Sequence, residues 1–309
     1  MKNDGQSKLK KILAGGGFAV TAECGPPRGS NADIIRKKGE LLKGSVDAVN
    51  VTDNQTAVVR MSSLAACLHL MDLGIEPVMQ MVTRDRNRIA LQSDIMGAYS
   101  LGVRNLLCLT GDHQSLGSQP EASNVFDIDS VNLVHAVRVM RDEGKDMSGF
   151  ALNEAPEMFI GAAENPFADP QSYRVVRLAK KINAGVDFIQ TQCVYNLPRF
   201  KEWMRQAREE GLTEKVYIMA GITPLKSARM AQFMATKVAG MDVPESVIKR
   251  MSVFSGPAAV EEGTKIALET IAELKTIPGV RGIHIMAIEA EERVPELVKA
   301  AGLSPRPAK

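Results

Sequence analysis

One acidic residue lies at a position where a catalytic role explains it better than packing does. Glu23 lies in an apolar run and is followed by the turn Gly25-Pro26-Pro27. Partial burial favours the protonated form of a carboxyl group, which would suit Glu23 to general acid catalysis. A carboxylate paired with an interior Lys or Arg is the alternative interpretation. We predict Glu23 to be a proton donor and leave the ion pair open.

A second acidic residue, Asp112, follows Gly111 at the end of another apolar run. Glycine lets the backbone approach a flat ligand closely, and the neighbouring carboxylate can then face positive charge that develops during a reaction. Gly-Asp pairs are also common in turns, where the Asp side chain caps backbone N–H groups. Asp112 is therefore predicted either to stabilise a cation or to cap a turn.

Two polar side chains interrupt further apolar runs. Gln192 offers both a donor and an acceptor, the pair needed to bind the amide-like edge of a pterin or an isoalloxazine ring, and Thr52 offers one hydroxyl. Either residue could instead be a hydrogen-bonded polar group of a protein interior. Each signal is weak when taken alone.

The elements that must position these residues alternate along the chain. Short apolar runs, each followed by a helical pattern, indicate repeated βα units around a parallel sheet. Eight units favour the α/β class and one (β/α)8 TIM barrel over residues 1–309, with a short extension or helix at 1–17. A doubly wound open sheet is the alternative. The predicted strands are 18–24, 48–52, 77–83, 106–110, 159–163, 188–193, 216–222 and 282–287.

Barrel topology predicts where the candidate residues lie. Loops that follow strands gather at the C-terminal end of such a barrel and carry its active site. The polar stretch 114–124 follows the fourth strand and is predicted to be a lid, whereas 147–157 precedes the fifth strand and belongs to the opposite end. Predicted helices include 34–42, 88–99, 131–141, 173–183 and 258–274.

Composition excludes several classes of partner. The 38 basic and 36 acidic residues nearly cancel, and no basic block is interleaved with aromatic residues, which argues against nucleic acid binding. No segment approaches the length of a membrane span. Without metal-ligand spacing among the histidines or a CxxC pair, no metal site is predicted, and reduced thiols in a cytoplasm fit best. These cysteines and histidines are Cys24, Cys67, Cys108, Cys193, His69, His113, His135 and His284.

The order of the strand-end motifs gives the sequence a family resemblance. From about Phe18 to Leu303 the chain resembles the methylenetetrahydrofolate reductase family. The matching motifs are Glu23 with Pro26-Pro27, Val51-Thr52, Gly111-Asp112, Thr191-Gln192 and Gly221-Ile222-Thr223-Pro224.

This resemblance implies a flavoprotein that reduces 5,10-methylenetetrahydrofolate to 5-methyltetrahydrofolate. Glu23 would protonate the folate as its ring opens to an iminium, Asp112 would stabilise that cation beside the flavin, and Gln192 would hold the pterin. Lys181 would meet the flavin phosphate. The flavin contacts that the resemblance implies are Thr52, Gln80, Leu109, Thr110, Gly111, Asp112, Ala162, Glu164 and Lys181.

The chain departs from the family at several of these positions. Gln80 stands where many members have His, Glu164 where they have Tyr, and Ala168 where they have a second His. These changes alter the contacts expected for FAD and bring FMN, which needs fewer, into consideration. Met230 and Met234 replace a Gln and a Phe of relatives that use nicotinamide. The electron donor is therefore NAD(P)H or, as in some relatives from anaerobes, an iron–sulfur partner subunit, and an oligomer or hetero-complex is expected.

Two other functions compete with the reductase. A pterin-binding barrel could transfer the methyl group of methyltetrahydrofolate to a corrinoid protein without a flavin. A non-catalytic barrel subunit could serve as a docking platform, although that role has no use for Glu23, Asp112 and Gln192 together.

Overall fold

Eight parallel strands close into one barrel. The computed structural model describes residues 6–238 and 240–307, so positions 1–5 of the predicted extension lie outside it. Each strand pairs with the next along the chain, and β8 pairs with β1. The predicted TIM barrel is confirmed, and the open-sheet alternative is wrong. The strands are β1 (Ala19–Cys24), β2 (Ala48–Val51), β3 (Pro77–Val82), β4 (Asn105–Leu109), β5 (Phe159–Glu164), β6 (Phe188–Cys193), β7 (Tyr217–Ile222) and β8 (Val280–Ile285).

Helices begin at polar caps in the loops that follow the strands. A side-chain oxygen of Asn31, Asn87, Asp129 or Asn196 accepts a hydrogen bond from a backbone N–H in the first turn of the helix that it precedes. The helices are α1 (Lys8–Ala14), α2 (Ala32–Leu42), α3 (Ser63–Asp72), α4 (Arg88–Ser100), α5 (Ser130–Asp142), α6 (Tyr173–Ala184), α7 (Leu197–Glu209), α8 (Ala228–Lys237), α9 (Glu245–Ser252), α10 (Gly256–Leu274) and α11 (Val294–Ala300).

The N-terminal end of the barrel is closed by packing. Leu9 and Leu13 of α1 are fully buried against the lowest inward-facing layer of the strands. The carboxylate of Glu76 accepts from the backbone N–H of Lys8 at 2.7 Å and of Leu9 at 2.9 Å, which fixes the start of α1. A ligand therefore has to enter at the C-terminal end.

The loops after β2 and β4 pack on each other at that open end. The stretch 114–124 contains a 3₁₀ turn, Gln114–Leu116, and the chain after β2 contains another, Gln55–Ala57. Ser118 N donates to Ala57 O at 3.2 Å. A Cβ at Gly117 would lie only 1.9 Å from Ala57 O, so this contact requires glycine.

The cysteines are packing groups. All four are free and buried, and burial raises the pKa of the Cys24 and Cys193 thiols to about 12. A thiol with so high a pKa is a poor nucleophile. Within 6–238 and 240–307, no helix is long and apolar enough to cross a membrane.

Candidate active site

The strands bring four of the predicted residues to the same face of the same rim. Side chains along a strand alternate between the barrel interior and the surrounding helices. Ala19, Ala48, Val78 and Phe188 form part of the lowest interior layer. Counting up from them in steps of two along each strand gives the interior-facing residues of the rim, which are Glu23, Thr52, Gln80 and Gln192.

A layer of hydrogen-bonded polar groups lies directly below this rim. Gln190 Nε2 donates to Thr21 Oγ1 at 3.2 Å and to Asn50 Oδ1 at 3.1 Å, and Asn50 Nδ2 donates back to Gln190 Oε1 at 2.6 Å. Thr21 Oγ1 is also 2.9 Å from His284 Nδ1. All four side chains are buried. No motif in the sequence marks this layer, although its members lie two residues before Glu23, Thr52 and Gln192 or on the neighbouring strand.

Glu23 faces His284 across the boundary between β1 and β8. Its Oε2 is 3.9 Å from His284 Nε2, and its side chain is 30% exposed. Thr21 Oγ1 accepts from Gln190, so its own hydrogen is best donated to His284 Nδ1. That assignment, made from the hydrogen-bond partners, places the ring N–H on Nε2, toward Glu23. In the described part of the chain, the group within ion-pair distance of Glu23 is this imidazole and not a Lys or Arg.

Asp112 lies in the loop after β4 with an exposed side chain. Its backbone carbonyl accepts from Arg84 Nη1 at 3.1 Å. The cap of the following 3₁₀ turn is His113, whose side chain accepts from Ser115 N, so the capping interpretation of Asp112 is not supported. Gly111 has φ +90°, and a Cβ there would lie 3.0 Å from Val82 Cβ. Only glycine fits this turn without strain.

Thr52 and Gln192 differ in how many of their polar side-chain atoms already form hydrogen bonds within the protein. Thr52 Oγ1 donates to Gln55 Oε1 at 2.5 Å and is buried. Gln192 Oε1 accepts from Cys193 N at 3.0 Å, while its Nε2 has no hydrogen-bond partner among the described residues. Gln192 therefore retains a donor for a ligand.

Other predicted cofactor contacts have side chains behind the strands. Thr110 Oγ1 accepts from Ser130 N at the start of α5, at 3.1 Å, and Ala162 packs in the apolar cluster between strands and helices. Glu164 points toward α6 and not into the mouth. Leu109, in contrast, packs against the interior cluster. On β5 the residue that faces the mouth is Ala163, which is exposed.

Glu164 and Lys181, both predicted to contact a flavin, bind each other. Lys181 Nζ is 2.7 Å from Glu164 Oε2 and also donates to Ala163 O, and both side chains are at least 95% buried. Burial lowers the pKa of Lys181, and the adjacent Glu164 carboxylate opposes that shift. The charge of Lys181 is thus already balanced within the protein.

No metal centre is formed by the residues that the structure describes. Nowhere within them do three or more His, Cys, Asp or Glu side chains gather as metal ligands would. The mouth presents the carboxyl group of Glu23 and the amides of Gln80 and Gln192, above the buried imidazole of His284.

Sequence comparison places this chain in a known family. The family model described as methylenetetrahydrofolate reductase matches residues 8–302. The chain belongs to the methylenetetrahydrofolate reductase family. A probable methylenetetrahydrofolate reductase (NADPH) of Caenorhabditis elegans is 24% identical over 90% of this chain. Methylenetetrahydrofolate reductase (NADH) 1 of Arabidopsis thaliana is 31% identical over 45% of it.

These relatives are longer proteins. The aligned segment is 41% of the length of the C. elegans protein and 24% of that of the A. thaliana protein. Methylenetetrahydrofolate reductase 2 of Schizosaccharomyces pombe is 24% identical over 78% of this chain, and 36% of its own length is aligned.

Solved structures share the fold. A Clostridium thermocellum protein that binds two copies of 5-methyl-5,6,7,8-tetrahydrofolic acid superposes with a TM-score of 0.63 at 15% identity, over 96% of this chain and 97% of that one. EDTA monooxygenase from Chelativorans sp. BNC1 superposes with a TM-score of 0.57 at 10% identity, over 92% and 93% of the two chains. At such identities the likeness shows the barrel and nothing finer.

Proposed function

We propose that this protein reduces 5,10-methylenetetrahydrofolate to 5-methyltetrahydrofolate with a bound flavin. The observation that carries the proposal is the convergence of Glu23 and Gln192 on one rim, above a buried polar layer, in a chain of this family. A docking platform would have no need of an acid and an amide that face the same opening.

The residues of the mouth can supply what the folate needs. Opening of its five-membered ring breaks the bond between the methylene carbon and N10, and N10 must take up a proton. Glu23 would donate that proton, and the imidazole of His284 lies 3.9 Å from its carboxyl group. Asp112 stabilises the iminium cation that remains, and the amide of Gln192 binds the pterin edge. When bound, the flavin supplies the hydride to the methylene carbon.

The mouth fits a flavin ring better than it fits the flavin's phosphate. The small, exposed side chain of Ala163 leaves the interior face of β5 open to a flat ring, and Leu109 offers an apolar contact. Any flavin phosphate would compete with Glu164 for Lys181, in FMN and FAD alike, and FMN is proposed beside FAD because it needs fewer of the altered contacts. The proposed flavin contacts at the mouth are Thr52, Gln80, Leu109, Gly111 and Asp112, with Lys181 for the phosphate. Thr110, Ala162 and Glu164 are proposed as contacts through backbone atoms, because their side chains lie behind the strands.

The electron donor is proposed to be NAD(P)H or an iron–sulfur partner protein. Met234 of α8 is 3% exposed, and its sulfur is 3.7 Å from the Tyr195 hydroxyl. Met234 itself therefore offers no surface on which a nicotinamide could stack, which is the reason to keep a partner protein as a donor beside NAD(P)H, although Phe233 on the same helix is 56% exposed. With such a partner, the working enzyme is a hetero-complex.

The bound cofactor is the most direct test. The protein is purified, its colour recorded, and any ligand released by denaturation is identified by mass. A yellow protein that releases FMN or FAD and, once reduced with dithionite, converts 5,10-methylenetetrahydrofolate supports the proposal. A colourless protein that binds methyltetrahydrofolate supports the corrinoid methyltransferase instead. Rapid bleaching by NADH alone would remove the need for a partner protein.

A further inference from the structure

Arg60 lies against the turn that follows β1, the strand that carries Glu23. Its Nη1 donates to Pro26 O at 2.9 Å, and the next residue, Met61, donates its N–H to Pro27 O at 2.9 Å. The segment after β2 is thereby tied to the turn after β1. Pro26 is three residues from Glu23, a separation that an extended chain spans in about 10 Å.

Arg60 and Arg28 differ from the other arginines of this rim in having no carboxylate partner. Arg84 is 2.7 Å from Asp85, and Arg86 is 2.7 Å from Asp53. Among the described residues, no Asp or Glu oxygen lies within 4 Å of Arg28 or Arg60.

The surroundings of Arg60 leave its charge incompletely compensated. Its Nε is buried without a hydrogen-bond partner. Burial and the positive charge of Arg28 lower the pKa of Arg60, and the more distant Glu289 of the loop after β8 opposes that shift. A guanidinium in this position gains from an anionic ligand that can accept two parallel hydrogen bonds.

The chemistry of the folate places such an anion here. This step rests on the proposed function, in which Glu23 protonates N10. N10 carries the p-aminobenzoyl group, whose amide leads to a glutamate with two carboxylates, so this end of the molecule must leave the mouth beside Glu23. We propose that Arg60, assisted by Arg28, binds the glutamate carboxylates of the folate.

Binding of two probes tests this site directly. Tetrahydrofolate carries the glutamate, and tetrahydropteroate is the same molecule without it. Their dissociation constants are measured by calorimetry on the wild type and on Arg60→Gln. We expect the wild type to bind tetrahydrofolate at least about tenfold more tightly, as a charge-assisted pair predicts, and Arg60→Gln to lose most of that preference.

Further variants separate the site from general effects. Arg28→Gln alters an exposed side chain, cannot be expected to disturb folding, and should lower the preference about threefold. Arg229→Gln removes an exposed charge from the first turn of α8 and should leave the preference unchanged.

Three outcomes would overturn the proposal: a wild type without preference, equal weakening of both probes by Arg60→Gln, or loss of the preference in Arg229→Gln. If the wild type binds neither probe, the proposed function fails as well. If it binds both equally, only the arginine site fails.

Discussion

Two carboxylates at the same rim of the barrel have opposite environments. Glu23, near the end of β1, faces the mouth, is 30% exposed and lies 3.9 Å from the imidazole of His284. Glu164, at the end of β5, points toward α6, is buried and forms an ion pair with Lys181 at 2.7 Å. The face of the strand on which a carboxylate lies, and not its position along the strand, decides whether a ligand can reach it.

The two carboxylates also differ in whether the protein already supplies an oppositely charged partner. Glu164 and Lys181 satisfy each other, so either one alone is a buried charge without a partner. Glu23 is partly exposed at the mouth, 3.9 Å from the imidazole of His284, whose other ring nitrogen is 2.9 Å from Thr21 Oγ1. The β5 carboxylate is thus already paired within the protein, whereas the β1 carboxylate is open to a ligand.

The largest effect is expected on the β1 side. Glu23→Gln retains the size of the side chain but removes the acid, and reduction of methylenetetrahydrofolate should fall about 10²- to 10⁴-fold. Reduction of the flavin by dithionite should be unaffected. Stopped-flow absorbance of the flavin measures both half-reactions. As a matched control, Glu292→Gln removes an exposed carboxylate beyond β8 and should change neither rate by more than about twofold. Unchanged folate reduction in Glu23→Gln would rule out the acid role.

On the β5 side, stability should change. Lys181→Met leaves Glu164 buried and unpaired, which should lower the free energy of unfolding by about 3–5 kcal/mol, as measured by urea denaturation. Removing both charges with Glu164→Leu and Lys181→Met should restore most of that loss. The exposed pair Lys249–Glu245 is the control, because Lys249→Met should cost less than about 1 kcal/mol. If Lys181→Met and Lys249→Met lowered the free energy of unfolding by the same amount, burial would not make the Glu164–Lys181 pair more important for stability than the exposed pair.

Much of the barrel could be predicted because alternating βα units leave a periodic signal. Strand 188–193 has the same bounds in the structure, and most others shift by one or two residues. The face of a strand was harder to predict. Barrel strands are covered on both sides and read as continuous apolar runs, so the sequence does not show that Ala163 faces the mouth while Glu164 faces α6.

Long-range pairs could not be predicted at all. The sequence gives no sign that His284 lies near Glu23, because their relation depends on closure of the barrel, which pairs β8 with β1 and sets Thr21 opposite His284. Glu164 and Lys181 are 17 positions apart, and their contact depends on how α6 packs on β5. Residue types alone do not encode either distance.

The smallest expected effect tests the link between the buried layer and the acid. Thr21→Val removes the hydroxyl that joins His284 to Gln190, so both lose a buried partner, at a cost of about 1–3 kcal/mol in the free energy of unfolding. With the imidazole no longer fixed, folate reduction should fall about tenfold while flavin reduction stays constant. Thr21→Ser restores the hydroxyl and should recover both stability and rate. If Thr21→Val lost stability but reduced the folate at the normal rate, the buried polar layer would contribute to stability only. Glu23 would then not depend on it for catalysis.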